Sequence, residues 1–238
     1  MPTSYRQLFR FKQFDVYQDT AAMKIGTDGV LLGAWADFNC PKKILDVGTG
    51  TGVIALMLAQ RFLQSQIHAV EIDAETARLA DYNFKNSKWF DQIRVFNEDF
   101  LHFNTGDTYD LIVSNPPYFD EQVYSQNKTR DWARHTLRLN LEELIKKSAS
   151  LLTPHGKIQI ILPADKEILL RQICVDNNLY INKITSVKGN LTSPVKRMLV
   201  SISFVQTPLG NDTLVIEKQR HVYTDEYIDL TKDFYLKM

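Results

Sequence analysis

The sequence has little cysteine, no excess of charge of either sign and no long apolar segment. Two cysteines, Cys40 and Cys174, cannot build a disulfide framework, and they form no cluster with the spacing of a metal site. The 28 basic and 28 acidic side chains leave no formal net charge, so any nucleic-acid surface must be local. No apolar run approaches the roughly 18 residues of a membrane span. These absences argue against a disulfide-stabilised scaffold, a metal protein and a membrane protein.

What the sequence does contain is enough apolar material for a large core. Hydrophobic residues make up 44% of the 238 positions, so extensive disorder is not expected. The first segment, MPTSYRQLFRFKQFDVYQDT, is too polar for a signal peptide, and scarce cysteine fits a reducing compartment. We therefore expect a cytoplasmic protein of one large domain, or one domain with appendages, without an obligatory protein partner.

Apolar strand-like segments alternate with helical segments along most of the chain. This alternation predicts a mostly parallel sheet with helices on both faces. Two late strands without a clear helix between them predict an antiparallel pair at one edge. Near the start of the pattern, Thr27 or Asp28 is expected to cap a helix. In chain order, the predicted segments after that helix are KKILDVGTGTG, VIALMLAQRF (helix), QIHAVEID, AETARLADYNFKNS (helix), IRVFNEDF, YDLIVSNPPY, LNLEELIKKSASLL (helix), GKIQIILP, ADKEILLRQICVDNN (helix), YINKITSVKG and KRMLVSISFVQ.

A glycine-rich loop follows the first strand of this pattern. In LDVGTGTG, Gly48, Gly50 and Gly52 allow a tight turn and close approach of a ligand to the backbone. Asp46 precedes them, and its negative charge would repel a phosphate but attract an ammonium group. The alternative is a plain strand-to-helix turn that binds nothing.

Two further acidic residues end the next two strands. Glu71 follows Gly52 by about 20 residues, where a carboxylate can accept hydrogen bonds from ribose hydroxyls. Asp99, in NEDF, could accept from an adenine amino group, whereas Asp73 is expected to cap a helix. Three acidic strand ends beside a glycine loop favour S-adenosylmethionine, which carries adenine, ribose and a cationic amino-acid end.

The fourth strand ends in Asn-Pro-Pro-Tyr. The side-chain oxygen of Asn115 and the carbonyl of Pro116, directed by the bond to Pro117, can accept the two hydrogens of a planar amino group. Tyr118 can stack on a flat base and hold it in line with a methyl donor. Such acceptors stabilise positive charge on the nitrogen as it is methylated. The alternative is a rigid turn that only ends the strand.

At this point the chain resembles the class I S-adenosylmethionine-dependent methyltransferases with an NPPY motif. That resemblance implies a Rossmann-like, doubly wound seven-stranded sheet, mostly parallel with an antiparallel last strand. Two terminal segments, FKQFDVYQDTAAMKIGTDGVLLGAWAD and HVYTDEYIDLTKDFY, are similar to the bacterial tRNA1(Val) (adenine(37)-N6)-methyltransferase family. The implied activity is N6-methylation of the adenosine 3′ of the anticodon, with the tRNA anticodon stem-loop as partner.

The resemblance also implies a single methyltransferase domain and a role for each motif residue. The domain covers residues 1–238, with an extension over 1–40 near the site, a Rossmann-like core over 41–206 and a C-terminal tail and helix over 207–238. Phe100 and Ile72 are possible neighbours of the adenine ring. The implied cofactor residues are Asp46, Gly48, Gly50, Gly52, Glu71 and Asp99, and the implied catalytic residues are Asn115, Pro116, Pro117 and Tyr118.

An adenine in an anticodon loop must be unstacked before it enters such a pocket, and basic side chains near the mouth are expected to hold the phosphates. The alternative for each candidate is that it is an ordinary solvated surface charge that binds no RNA. The candidates are Arg10, Lys12 and Lys24 in the leading segment, Lys128, Arg130 and Arg134 after NPPY, and Lys196 and Arg197.

Other functions remain open on the sequence alone. An enzyme that methylates a glutamine amide of a release factor would use the same four residues, but usually carries a separate helical N-terminal domain. A guanine-N2 methyltransferase would more often have phenylalanine after the prolines. A non-catalytic RNA-binding module is the alternative from a different class, and the intact acidic and NPPY positions disfavour it.

Overall fold

The computed structural model describes residues 7–18, 24–117 and 139–237. Among these residues the strands are β1 (Leu8–Arg10), β2 (Asp15–Tyr17), β3 (Lys43–Val47), β4 (Gln66–Glu71), β5 (Ile93–Asn97), β6 (Tyr109–Ser114), β7 (Leu152–Pro163), β8 (Tyr180–Asn190), β9 (Val195–Ser203), β10 (Gly210–Gln219) and β11 (Val222–Tyr223). The helices are α1 (Thr27–Trp35), α2 (Val53–Arg61), α3 (Ala74–Lys85), α4 (Leu141–Leu151), α5 (Glu167–Asp176) and α6 (Asp225–Thr231), with a short 3-10 helix at Ala164–Lys166. None of these helices is long and apolar enough to cross a membrane. Tyr118, Lys128, Arg130 and Arg134 lie outside the described residues.

The main sheet has the order β11-β10-β8-β9-β7-β6-β3-β4-β5. The five strands from β5 to β7 are parallel, and β9 runs antiparallel to both β7 and β8. The predicted doubly wound, mostly parallel sheet with a late antiparallel pair is therefore confirmed. The pair is not at the edge of the sheet, as we expected, because β10 and β11 continue the sheet beyond β8. The described part of the chain contains nine strands in this sheet, however, rather than the expected seven.

The two additional strands come from the C-terminal segment, residues 207–238. We expected this segment to form a tail and a helix, and α6 is present. Before it, β10 pairs in parallel with β8, and β11 pairs antiparallel with β10. Leu214 is the one buried residue of β10, so the strand lacks the apolar alternation that would reveal it in the sequence. Backbone pairing with a neighbouring strand edge, rather than side-chain pattern, forms this part of the sheet.

The core is divided between the two faces of the sheet. One cluster combines side chains from α1, α2 and α3 with the sheet, and includes Leu31, Leu56 and Phe84. The other places α4 and α5 against the opposite face, and includes Ile145 and Ile173. Because helices cover both faces of the sheet, the strand ends remain open. Ligands bind at the carboxyl ends of the strands in such folds, and we call that side of the sheet its carboxyl edge.

The start of α1 differs from the sequence prediction. Neither Thr27 nor Asp28 caps this helix, since Gly26 is at the N-cap position and no side chain caps it there. Asp28 lies in the first turn, and its Oδ2 accepts a hydrogen bond from Arg197 Nε at 2.8 Å. The carboxylate therefore ties α1 to β9, a contact 169 residues distant in sequence that local capping rules cannot foresee.

The end of α1 is held by a partly buried arginine of α2. Arg61 Nη1 donates to the carbonyl of Gly33 at 3.0 Å and to that of Ala36 at 2.5 Å. Burial lowers the pKa of this guanidinium, and the nearby carboxylate of Asp37 partly counteracts the decrease. These bonds satisfy carbonyls that a helix end leaves without partners.

We expect Arg61→Met to lower the free energy of unfolding by about 2 kcal/mol, because two buried carbonyls lose their donor. Urea denaturation would measure the change. Lys85→Met is the matched control, since it removes only an exposed ion pair with Asp81 and should change stability by less than about 0.5 kcal/mol. Equal effects of the two substitutions would show that Arg61 does not anchor α1.

Candidate functional site

The carboxyl ends of β3, β4 and β6 meet at one edge of the sheet. β3 lies between β4 and β6, and it pairs in parallel with both. At the end of β6, Ser114 Oγ donates to the carbonyl of Val47 at the end of β3, at 2.9 Å. This buried hydrogen bond joins the strand that leads into the glycine loop to the strand that leads into Asn115.

The glycine loop uses the backbone conformation that glycine permits. Gly48, Gly50 and Gly52 have φ values of 70°, 57° and 85°, in the left-handed region that other residues rarely adopt. At Gly52, a Cβ atom would also lie 2.4 Å from the ring of Phe84, so this glycine allows α3 to pack against the loop. The sequence prediction of a tight turn agrees with this geometry, whereas the contact with Phe84 was not foreseen.

Asp46 is fully buried beneath this loop. Its Oδ2 accepts a hydrogen bond from Thr49 Oγ1 at 2.6 Å, while its Oδ1 has no partner among the described residues. Burial raises the pKa of Asp46 from 3.8 to about 7, and the hydrogen bond from Thr49 and the nearby backbone N–H of Ala55 offset only part of that effect. The Ala55 N–H is close enough to lower the pKa but makes no hydrogen bond of normal geometry with Oδ1. A buried carboxylate oxygen without a partner is costly, so this position suits an additional donor such as an ammonium group.

Glu71 lies at the end of β4 and contacts the glycine loop directly. Its Oε2 accepts from the Gly50 N–H at 3.0 Å, and its Oε1 accepts from the Asp73 N–H at 3.0 Å. Burial raises the pKa of Glu71, and these backbone hydrogen bonds counteract the rise. Asp73 has the other role that the sequence predicted, because its Oδ1 accepts from the Thr76 N–H at 2.8 Å and caps α3.

Asp99 follows β5, the next strand along this edge. Its Oδ1 accepts from the Leu101 N–H at 3.0 Å, and its Oδ2 lies 3.2 Å from His102 Nδ1. Phe100 is buried, whereas Ile72, just after Glu71, is exposed. An exposed apolar side chain at this edge is available to a flat ligand, and Phe100 belongs to the core.

Asn115, Pro116 and Pro117 follow the end of β6. Pro116 is buried, Asn115 is half-buried and Pro117 is exposed. A Cβ atom at Gly29, in the first turn of α1, would lie 4.0 Å from Asn115 Nδ2. The start of α1 thus forms one wall beside the amide, a neighbour that the sequence analysis did not identify. Tyr118 lies outside the described residues, so its stacking role stays a prediction.

A second missed residue is Asn83 of α3, which is fully buried. Its Oδ1 accepts from the Tyr17 N–H at 3.0 Å, and its Nδ2 donates to the carbonyls of Tyr17 at 3.0 Å and Thr51 at 2.9 Å. One amide therefore connects β2 to the glycine loop. An asparagine inside an amphipathic helical segment gives no sequence signal for such a role.

The described basic candidates occupy different surroundings. Arg10 and Lys24 are exposed, and Lys12 Nζ donates to the carbonyl of Lys232 at 2.5 Å. Lys196 is exposed at the start of β9, and the neighbouring Arg197 forms the ion pair with Asp28 already described. The ion pair of Arg197 with Asp28 connects β9 through α1 to the surroundings of Asn115.

A cavity of about 450 Å³ lies elsewhere, between Trp35, Lys157 and Lys183. Lys157 pairs with Leu111 near the amino end of β6, and Lys183 is near the amino end of β8. This cavity is therefore at the opposite edge of the sheet from Asp46, Glu71 and the chain after β6. Its size does not make it the candidate site, because the glycine loop and the two carboxyl groups with raised pKa values, those of Asp46 and Glu71, lie at the other edge.

Glu71→Gln is expected to weaken binding of S-adenosylhomocysteine at least about tenfold, because a charged acceptor becomes a neutral amide. Asp73→Asn is the matched control, since asparagine also caps helices well and should leave the affinity nearly unchanged. Isothermal titration calorimetry would measure both. If Asp73→Asn weakened binding and Glu71→Gln did not, the ribose contact would belong to Asp73.

Comparison with known proteins agrees with this geometry. The methyltransferase small domain family model matches residues 25–172. A tRNA1(Val) (adenine(37)-N6)-methyltransferase from Flavobacterium psychrophilum is 48% identical over 97% of this chain and 100% of its own, and one from Christiangramia forsetii is 45% identical over 98% and 99%. The crystal structure of a predicted O-methyltransferase from Agrobacterium tumefaciens, at 19% identity, covers 87% of this chain and 96% of its own with a TM-score of 0.67, which shows a shared fold. With a domain model over more than half of its residues and relatives matched along nearly its whole length, the chain belongs to the tRNA1(Val) (adenine(37)-N6)-methyltransferase family.

Proposed function

We propose that this protein transfers a methyl group from S-adenosylmethionine to the N6 nitrogen of adenosine 37 in valine tRNA, next to the anticodon. The observation that carries the proposal is the junction of β3 and β6. There the hydrogen bond from Ser114 to Val47 holds the strand before Asn115 against the strand before the glycine loop. Relatives over nearly the full chain bear the name of this activity.

The residues at the strand ends fit S-adenosylmethionine. The Oδ1 of Asp46, which has no partner among the described residues, would accept from the ammonium of the amino-acid end, and Glu71 would accept from the ribose hydroxyls. Asp99 would hold the adenine edge beside the exposed Ile72. Gly48, Gly50 and Gly52 would let the methionine portion approach the backbone closely. When bound, the cofactor supplies an electrophilic methyl group on a sulfonium.

Asn115 and Pro116 provide the chemistry on the substrate side. The side-chain oxygen of Asn115 and the carbonyl of Pro116 would each accept one hydrogen of the adenine amino group. Two acceptors draw this planar nitrogen toward a tetrahedral geometry and stabilise the positive charge that develops on it. The methylated nitrogen is acidic, so it loses its proton without a dedicated base. Tyr118 would hold the base by stacking.

The wider assignments belong to the same proposal. The anticodon stem-loop is the part of the tRNA that presents adenosine 37, and basic side chains near the strand ends would hold its phosphates. The chain acts as a single methyltransferase domain, with its leading segment beside the site. A cytoplasmic location fits this role because tRNA is modified there.

The proposal can be tested by incubating the protein with bulk tRNA and isotopically labelled S-adenosylmethionine. Nucleoside mass spectrometry should detect labelled N6-methyladenosine, and sequencing of the digested tRNA should place it next to the anticodon of valine tRNA. A parallel incubation replaces the tRNA with a peptide release factor. Labelled N2-methylguanosine, or label in the release factor and none in tRNA, would overturn the assignment. The Asn115→Ala protein serves as the control for a contaminating activity.

A further inference from the structure

The turn between β8 and β9 projects at the same edge of the sheet as the candidate site. We call residues 189–196 the hairpin tip. Since β9 is antiparallel to both β7 and β8, β8 ends at the edge where β6 and β7 end. Arg197 pairs with Pro163, three residues beyond the Ile160 that pairs with Ser114. The base of the hairpin tip is therefore level with the chain just after β6, roughly 10 Å away across two strand spacings.

A continuous series of contacts connects the hairpin tip to Asn115. Arg197, directly after the tip, donates to the carboxylate of Asp28 at 2.8 Å. Asp28 precedes Gly29, which packs beside the Asn115 amide. The ion pair thus holds the first turn of α1 between the hairpin and the substrate-facing amide, and the tip borders the place where the target base would enter.

The charge of this hairpin has one sign only. From Asn177 to Asn211 the sequence contains no aspartate or glutamate. The cations in this stretch are Lys183, Lys188, Lys196 and Arg197. Lys183 pairs with Asp212 and Arg197 with Asp28, whereas Lys188 and Lys196 have no carboxylate partner among the described residues. In a chain whose formal net charge is zero, this is a local basic element of the kind that binds phosphates.

The tip itself is ordered by its own hydrogen bonds. Asn190 Oδ1 accepts from the N–H groups of Thr192 at 3.1 Å and Ser193 at 2.9 Å, and from Thr192 Oγ1 at 3.0 Å. Lys188 Nζ donates to the carbonyl of Leu191 at 3.0 Å. Leu191 nevertheless has 64% of its surface exposed. An ordered turn therefore holds an apolar side chain out into solvent, and Lys188 and Lys196 flank it in the sequence.

We propose that the hairpin tip binds the RNA loop beside the target adenine, with Leu191 packed against the neighbouring base that the adenine leaves behind. This inference rests on the proposed RNA methylation. Proteins that unstack bases commonly insert an apolar side chain at the step they open, and unstacking has a free-energy cost that such a contact offsets. Lys188 and Lys196 contact the phosphates on either side, and both remain able to donate, since an ammonium group has three donors.

The test uses an anticodon stem-loop RNA of valine tRNA, with 2-aminopurine in place of the target adenine for the fluorescence measurement. Leu191→Ala should reduce the fluorescence increase on binding and the single-turnover methylation rate of the unmodified RNA by about tenfold, while RNA affinity changes little. The double variant Lys188→Ala, Lys196→Ala should weaken RNA binding about tenfold or more. The number of counterions released on binding, taken from the salt dependence of the affinity, should fall by about two. Affinity for S-adenosylhomocysteine should be unchanged in both proteins.

Leu63→Ala is the matched control, because Leu63 is 63% exposed and precedes the amino end of β4 at the opposite edge of the sheet. If the hairpin variants behaved like Leu63→Ala while the wild-type protein methylated the RNA, the hairpin inference would be wrong and the proposed function would stand. If the wild-type protein methylated no RNA, the proposed function itself would fail.

Discussion

Replacing Asn115 by alanine is expected to reduce the single-turnover rate of methyl transfer by about 10²- to 10³-fold, with little change in cofactor affinity. The side-chain oxygen is one of two acceptors that stabilise the charge developing on the target nitrogen, and loss of one such preorganised group has effects of this size. Asn115 adjoins Gly29 of α1, whereas the proposed cofactor acceptors Asp46 and Glu71 belong to β3 and β4. Rapid-quench measurement with saturating tRNA and cofactor would give the rate, and calorimetry would give the affinity.

Two further variants separate this role from a structural one. Asn115→Asp keeps an acceptor oxygen and should recover part of the lost rate. Asn140→Ala is the matched control: it removes the cap of α4, which costs about 1 kcal/mol of stability, and should leave the rate per folded molecule unchanged. An Asn115→Ala protein that methylates normally, or one that no longer binds cofactor, would contradict the assigned role.

The features that the sequence predicted best depend on local chemistry. The glycines of the loop have the positive φ values that a tight strand-to-helix turn requires. Asp73 caps α3, as its position before an amphipathic segment indicated, and Glu71 is left facing the loop. In each case the residue type and its immediate neighbours determine the outcome, so no knowledge of distant contacts was needed.

The features that were missed depend on distant contacts. Thr27 and Asp28 looked like helix caps, but the Asp28 carboxylate pairs with Arg197 instead. Asn83 joins β2 to the glycine loop from inside α3, and its partners cannot be read from a helical pattern. The segment that forms β10 has little apolar alternation, and its pairing with β8 becomes visible only once the sheet edge exists.

Asp46→Asn is expected to stabilise the cofactor-free protein at alkaline pH and to weaken cofactor binding. Burial raises the pKa of Asp46 from 3.8 in the ordinary carboxyl group to about 7 in the fold. A carboxyl group with a raised pKa binds its proton more tightly in the folded protein than in the unfolded chain. The free energy of unfolding therefore falls as the pH rises from 3.8 to about 7, and the loss reaches its full size above pH 7. Asparagine has no charge to bury, so the variant avoids this penalty.

The expected size follows from the interval of about three pKa units, each worth about 1.4 kcal/mol. The stability advantage of Asp46→Asn over the wild-type protein should therefore grow by about 2 to 3 kcal/mol between pH 5 and pH 8, measured by urea denaturation. Its affinity for S-adenosylhomocysteine, which keeps the ammonium group, should fall about 10- to 100-fold, because a charge-assisted hydrogen bond is lost. The buried charge of Asp46 would thus lower the stability of the cofactor-free protein and strengthen cofactor binding.

Asp110→Asn tests whether this behaviour belongs to Asp46 specifically. Asp110 is a half-buried carboxylate near the amino end of β6, and its Oδ2 accepts from the Lys42 N–H at 2.8 Å. Its replacement should reduce stability at both pH values and leave cofactor affinity unchanged, since it removes a partnered acceptor far from the loop. If Asp46→Asn lowered the free energy of unfolding at pH 8, as expected for Asp110→Asn, the Oδ1 of Asp46 would not be a destabilising group in the cofactor-free protein. If the variant bound S-adenosylhomocysteine as tightly as the wild-type protein, the ammonium contact would have to be made by another group.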